Sequence, residues 1–222
     1  MTITYYSVRR GGAESRLEDN LLDELQDAFP ERKYKQWMGG AFNIGGSFPD
    51  IVIVSYRPEL TWLQEEVAGA EFILAYLHRV SSARFETIQK RTLIETRHLR
   101  LSIDKLIDAK VIRKKKQAYH LDKAWRDILP RIITIEAKIS KWRIAVAQAM
   151  NNTLFAHYSY VAVPLDLAKR ISNESAFNQK GIGLIGVAQG ADSCFVKNAV
   201  SKYPSLWSYY YSLASTIATN GG

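Results

Sequence analysis

In the run "RIITIEAKISKW", residues 131 to 142, a carboxylate and an ammonium stand two residues apart in an otherwise apolar, β-branched stretch. Successive side chains of a strand point to opposite faces, so Glu136 and Lys138 emerge on one side while Ile135 and Ala137 face the other. Such a pair is either a salt-bridged surface pair, worth at most ~1 kcal/mol, or an active site. The flanking residues are too apolar for a convincing surface edge, which favours the second reading.

Other chemistries find less to stand on. Ser193 and Cys194 are adjacent but have no histidine at a recognisable spacing, and no GxSxG elbow occurs. Cys194 therefore reads as a buried structural cysteine. As the single cysteine it excludes an internal disulfide, and His78, His98, His120 and His157 lack the clustered spacing of a zinc site. The glycines of "GGAFNIGG" match neither GxGxxG nor GxxxxGK[ST] and are expected to form a tight hairpin.

The elements that must carry Glu136 and Lys138 follow from periodicity. A strand is expected in "TITYYSV". An amphipathic helix over "AESRLEDNLLDELQDAF" sets Leu17, Leu21, Leu22, Leu25, Ala28 and Phe29 at helical spacing and stops at Pro30. In "YKQWMGGAFNIGGSFPDIVIVSY" two glycine pairs bracket a short apolar piece, giving turn, strand, turn and then a buried strand that begins at Asp50. From about residue 64 the period becomes helical through "EEVAGAEFILAYLHRV", "RFETIQKRTL" and "ETRHLRLSIDKLIDAK", and "VIRKKKQAYHL" follows as two short strands around a basic turn. After Pro130 come a strand "RIITIEAKI", a helix "SKWRIAVAQAMNNTLFAH", a strand "YSYVAVP", a helix "LDLAKRISNESAF" and a strand "GIGLIGVA". Strands alternating with helices predict an α/β core with a mixed sheet. The aromatic tail "YPSLWSYYYSLASTIATNGG" is expected to be helical with a disordered end. It either folds onto its own core or offers "LWSYYYSLA" as a contact surface for a second copy or a partner protein.

Charge is concentrated rather than spread. The chain carries a formal +8, and residues 84 to 123 hold twelve Lys and Arg against five Asp and Glu, a surplus of +7. That is the electrostatic footprint expected for phosphate backbones, although a solvated basic face without a partner has the same composition. Neither a membrane-spanning run nor the apolar core of a secretory signal occurs, so the expected location is the cytoplasm.

Two family resemblances connect these features. "LRLSIDKLIDAKVIRKKKQAYHL", with the two helices before it, resembles a winged helix-turn-helix, in which a recognition helix is followed by a wing. Pro49-Asp50 followed by Glu136-Ala137-Lys138 resembles the PD-(D/E)xK nuclease superfamily: the Asp heads a hydrophobic strand, the ExK lies within another, and a helix comes directly after. In that family a short turn joins the two strands, whereas here 85 residues lie between Asp50 and Glu136. An inserted winged helix explains both the gap and the basic surplus. The fold expected is therefore a restriction-endonuclease-like mixed sheet flanked by helices, residues 1–63 and 127–222, with a winged helix-turn-helix inserted at 64–126.

The resemblance implies a Mg²⁺-dependent endonuclease for which Mn²⁺ can substitute. Asp50, Glu136 and the carbonyl of Ala137 are then the metal ligands, with Ala137 packing under a helix, and Lys138 orients or deprotonates a water and offsets phosphate charge. An acid from the first helix is expected at Glu18, ahead of Glu14 and Asp19. Behind the strand, Lys141, Arg143 and Gln148 are within the segment expected to reach a phosphate or the lysine. Some members carry a tyrosine four places after such a glutamine; this chain has Asn152 there, and only Gln148 is carried over. For double-stranded DNA, Arg97, His98, Arg100 and Lys105 on the third helix and Arg113, Lys114, Lys115 and Lys116 in the wing are the expected contacts. The alternative from another class is a catalytically inactive nuclease-like protein that binds DNA or assembles with partners.

Overall fold

The computed structural model describes residues 4–5, 12–41, 43–188 and 194–220. The chain divides into two compact units, Met1–Ser55 with Arg131–Ser205 and Tyr56–Pro130 with Leu206–Gly222.

The first unit is α/β, a mixed sheet flanked by helices. Its strands are β1 (Thr4–Tyr5), β2 (Lys35–Gly40), β3 (Ile51–Tyr56), β7 (Arg131–Ala137), β8 (Tyr158–Pro164), β9 (Gly183–Val187) and β10 (Cys194–Lys197), in the order β1-β2-β3-β7-β8-β9-β10. β3 runs antiparallel to β7, β7 and β8 parallel to their successors, and β10 antiparallel to β9. Alternation splits the β-branched residues between two cores. Ile51 and Ile53, paired with Ile135 and Ile133, face helix α1 (Ala13–Ala28) and its buried Leu17, Leu21 and Leu25, with Ala137 in the same cluster. The opposite face packs α5 (Trp142–Asn152), α6 (Leu165–Ile171) and α7 (Ser175–Lys180), where Ala145, Val146 and Ala149 meet Val161, Val163 and Leu184. Each fully buried leucine or isoleucine here contributes about 1.5–3 kcal/mol.

The second unit holds α2 (Ala70–Arg79), α3 (Phe85–Thr92), α4 (Thr96–Asp108) and α8 (Trp207–Asn220) with a three-stranded sheet ordered β4-β6-β5 from β4 (Ala83–Arg84), β5 (Ile112–Lys115) and β6 (Ala118–Leu121). Glu95 caps α4 by accepting from the backbone N–H groups of Arg97 and His98. Lys116 adopts a positive φ of 56° in the turn between β5 and β6. Among the described residues no helix is long and apolar enough to cross a membrane.

Several local expectations are corrected. The strand before β3 is Lys35–Gly40, which includes the first glycine pair, not the piece between the two pairs. Gly45 and Gly46, both at positive φ, make the turn between the bridge partners Ile44 and Ser47. "LDLAKRISNESAF" breaks into α6 and α7. The tail, which the sequence reading placed in the α/β core, groups with the second unit through α8. There the Tyr210 hydroxyl accepts from the backbone N–H of Leu129, and Tyr211 donates to the carbonyl of Trp125. Cys194 is exposed on β10, not buried. Ser193, most of the expected first strand and the last two residues lie outside the described residues.

Candidate active site

Register brings Asp50 and Glu136 together. With Ile51 opposite Ile135 on β3 and β7, the next pair outward is Asp50 and Glu136. The backbone N–H of Ala137 donates to Asp50 Oδ2 at 2.8 Å, tying the head of β3 to the end of β7. Glu136 is on the face covered by α5 and is 1% exposed, and Ala137 points into the α1 core.

Lys138 leaves the strand just past Ala137. Its ammonium donates to Asp50 Oδ2 at 3.1 Å and to the Ala137 carbonyl at 2.9 Å, and lies 3.8 Å from Glu14 Oε2. Burial alone would push the Lys138 pKa down. The Asp50 carboxylate, through charge and hydrogen bond, with Glu14 and Glu136 behind it, outweighs burial and raises it. A surface pair between Glu136 and Lys138 is thereby set aside: Glu136 is buried, and the ion-pair partners of Lys138 are Asp50 and Glu14.

The environment of Glu136 is asymmetric. Oε1 accepts from the side-chain amide of Asn152 at 2.7 Å, and Asn152 Oδ1 accepts from the Ser47 hydroxyl at 2.5 Å. Oε2 is buried without a hydrogen-bond partner among the described residues. Burial, with the Asp50 charge beside it, raises the Glu136 pKa to about 8, the Asn152 bond and Lys138 only partly opposing it. Burial and the neighbouring carboxylate thus favour the protonated carboxyl, and a cation would favour the ionised one. The Asp50 and Lys138 side chains retain 22% and 16% of their exposure, so the recess opens to solvent.

Placement of the other expected residues is uneven. Glu18 is half-buried on α1 and its charge raises the Glu136 pKa, while Glu14 is the acid nearer Lys138. Gln148 is partly buried, and its Oε1 has no hydrogen-bond partner among the described residues. Lys141 is exposed at the start of α5, and the Arg143 guanidinium stacks over the Trp142 ring at 4.3 Å. Asn152 and Ser47 are the participants that the sequence reading missed. Asn152 had a signal: it is the polar member of the buried α5 stripe Ala145, Ala149, Asn152.

In the second unit the basic residues differ in how far they are committed. Arg97 is exposed, His98 Nδ1 lies 3.2 Å from Glu95, Arg100 sits over the Phe85 ring at 5.0 Å, and Lys105 pairs with Glu65 at 2.7 Å. Arg113 pairs with Asp122 at 3.1 Å, Lys114 lies over Tyr119 at 5.6 Å, and Lys115 and Lys116 are exposed.

Among the described residues no group of three or more His, Cys, Asp or Glu side chains is arranged to hold a metal ion. Two carboxylates and a carbonyl nevertheless form an all-oxygen donor set of the kind that suits Mg²⁺. The unpartnered Glu136 Oε2 beside Asp50 is what such a cation would satisfy, so the residues present fit one. The fold and site define an α/β protein with a buried carboxylate beside a carboxylate–lysine pair. Comparison with known protein families, curated proteins and solved structures returned no match.

Proposed function

We propose that the chain is a divalent-cation-dependent DNA endonuclease of the PD-(D/E)xK type, with a winged helix-turn-helix in the inserted unit that grips duplex DNA. The observation that carries this reading is the buried, unpartnered Glu136 Oε2 next to Asp50, with Lys138 fixed between Asp50 and the Ala137 carbonyl. Asp50, Glu136 and the Ala137 carbonyl would hold the cation. When bound, Mg²⁺ neutralises charge on the phosphate and acidifies an attacking water. Asn152 orients Glu136. Lys138 would present its ammonium to a phosphate oxygen or a water. The DNA-binding part is supported by the surplus of +7 over residues 84 to 123 and by the helix-then-hairpin order of α4, β5 and β6.

A second reading is favoured by one observation: the Lys138 ammonium sits on Asp50 Oδ2 and the Ala137 carbonyl, two of the atoms a cation needs. A core stabilised in that way serves as a scaffold in a DNA-binding or assembly protein without cleavage. Mg²⁺- or Mn²⁺-dependent nicking or cutting of plasmid DNA, compared with Asp50→Ala and Lys138→Ala, separates the two. Cleavage abolished by both substitutions supports the nuclease; cleavage indifferent to them, or absent throughout while DNA is still bound, supports the scaffold.

A further inference from the structure

We propose that the outer face of the β5–β6 hairpin is a second nucleic-acid backbone site, separate from the surface formed by α4 and the hairpin's inner face, so that the unit holds two phosphodiester segments at once. This rests on the reading that the unit binds DNA.

Strand alternation divides the basic run between two faces. Ile112 pairs with Leu121 and Lys114 with Tyr119, and Ile112, Tyr119 and Leu121 are buried. The inner face therefore carries Lys114. With Lys116, Arg100, Phe85 and Tyr119 it lines a cavity of about 560 Å³. Arg113 and Lys115 point the other way. There, with Arg79, His120, Lys123 and Arg126, they line a second cavity of about 820 Å³ whose lining includes no Asp or Glu; Lys114, on the edge strand, reaches the rim of both cavities and is the one cation they share.

The cations of the outer cavity have different duties. Arg126 donates to the carbonyls of Leu77, His78 and Val80 at 2.9–3.3 Å and closes the end of α2. Arg113 is paired with Asp122. Arg79, Lys115 and Lys123 form no ion pair among the described residues, and all three are exposed. Uncommitted charges spread around so wide an opening suit a repeating polyanion better than one small anion, which would reach only part of the set. The chemistry also separates the two cavities. The inner one offers Phe85 and Tyr119 rings under Arg100 and Lys114, and so a surface for base or sugar contact. The outer one has no Phe, Tyr or Trp in its lining, which leaves phosphate as its target and makes it indifferent to sequence.

The test is a capture assay in EDTA, where no cation supports cleavage. Protein bound to an immobilised duplex is offered a second, fluorescent duplex, and affinity for a single duplex is measured separately by anisotropy. Expected is capture by the wild type, a loss of capture of about tenfold or more in Arg79→Ala/Lys123→Ala with single-duplex affinity held within about twofold, and a loss of about tenfold or more in single-duplex affinity, with capture lost alongside it, in Arg100→Ala/Lys116→Gln. Capture that survives in Arg79→Ala/Lys123→Ala, as it would if a second copy of the chain supplied the site, overturns the proposal. So does an equal loss of both properties in Arg79→Ala/Lys123→Ala, which would mean one continuous surface, and so does a wild type that binds one duplex but never a second. A wild type that binds no duplex removes the DNA-binding reading itself, and that outcome is distinguishable from the others.

Discussion

Asn152 donates its side-chain amide to Glu136 Oε1 at 2.7 Å, and neither residue is more than 1% exposed. The bond makes the two oxygens of Glu136 unequal: one is held by α5 and the other is bare. Replacing Asn152 with alanine frees both, so the carboxyl loses its orientation. The expected result is a ~10–100-fold loss of Mg²⁺ affinity by titration calorimetry. Asn152→Asp, which swaps the donor for a second charge, should be worse, and unchanged affinity in both variants would remove Asn152 from the site.

Lys138→Met tests the ammonium as a stand-in for the cation. In EDTA the substitution leaves Asp50 without its ion-pair partner and should cost about 1–3 kcal/mol by urea denaturation. Adding Mg²⁺ should recover most of that loss in the variant and little in the wild type. A variant as stable as wild type in EDTA would mean that the ammonium does not balance the carboxylates.

Acid should weaken the second unit through His78. Its ring stacks on Trp207 with centroids 3.5 Å apart, and its Nδ1 is 2.8 Å from the Tyr211 hydroxyl, whose hydrogen goes to Trp125. Burial, helped by Arg126, lowers the His78 pKa from 6.5 to about 4. The unfolded chain therefore takes up the proton first, and the stability due to neutral His78 is complete above pH 6.5 and lost as pH falls toward 4. For this partly exposed ring the loss is on the order of 1–2 kcal/mol. His78→Gln should shrink the difference between urea midpoints at neutral and acid pH; an unchanged difference assigns the acid sensitivity elsewhere.

Gly183→Ala should destabilise the first unit. A Cβ there would stand 2.2 and 2.3 Å from the Tyr160 ring and 2.8 Å from the backbone N of Ala199, inside the β8–β9 pairing. The expected cost is about 1–3 kcal/mol. Shortening Tyr160 to valine in the same chain should relieve part of it, giving a coupling that thermal unfolding of the double variant can read.

What the sequence disclosed followed from parity and from charge. Parity placed Glu136 and Lys138 on one strand face, Asp50 was joined to them only through the resemblance of Pro49-Asp50 and Glu136-Ala137-Lys138 to a PD…ExK pattern, and α1 could be outlined because Leu17, Leu21 and Leu25 repeat at four-residue intervals. Asn152 was passed over because it stands where a tyrosine was sought, although a buried amide on an alanine stripe requires a partner. Ser47 carried no signal, since its bond to Asn152 spans 105 residues and depends on a glycine turn that only the folded chain defines. Strand β2 was misplaced because Gly39 and Gly40 read as a turn, whereas β1 lies alongside them as a parallel partner. The aromatic tail gave its helix but not its neighbour, because apolar rings alone do not name the surface they cover.

Ser55 and Arg131 are register partners in the β3–β7 ladder, and between them lie residues 56–130. The chain thus departs and returns at adjacent positions, where a two-residue turn would close the ladder equally well. Asp50 and Glu136 stand at the far end of the same two strands, so whatever occupies 56–130 leaves their alignment alone. In evolutionary terms the junction behaves as a socket: one inserted unit, carried together with the tail that packs on it, could be traded for another while the sheet of the first unit stayed as it was.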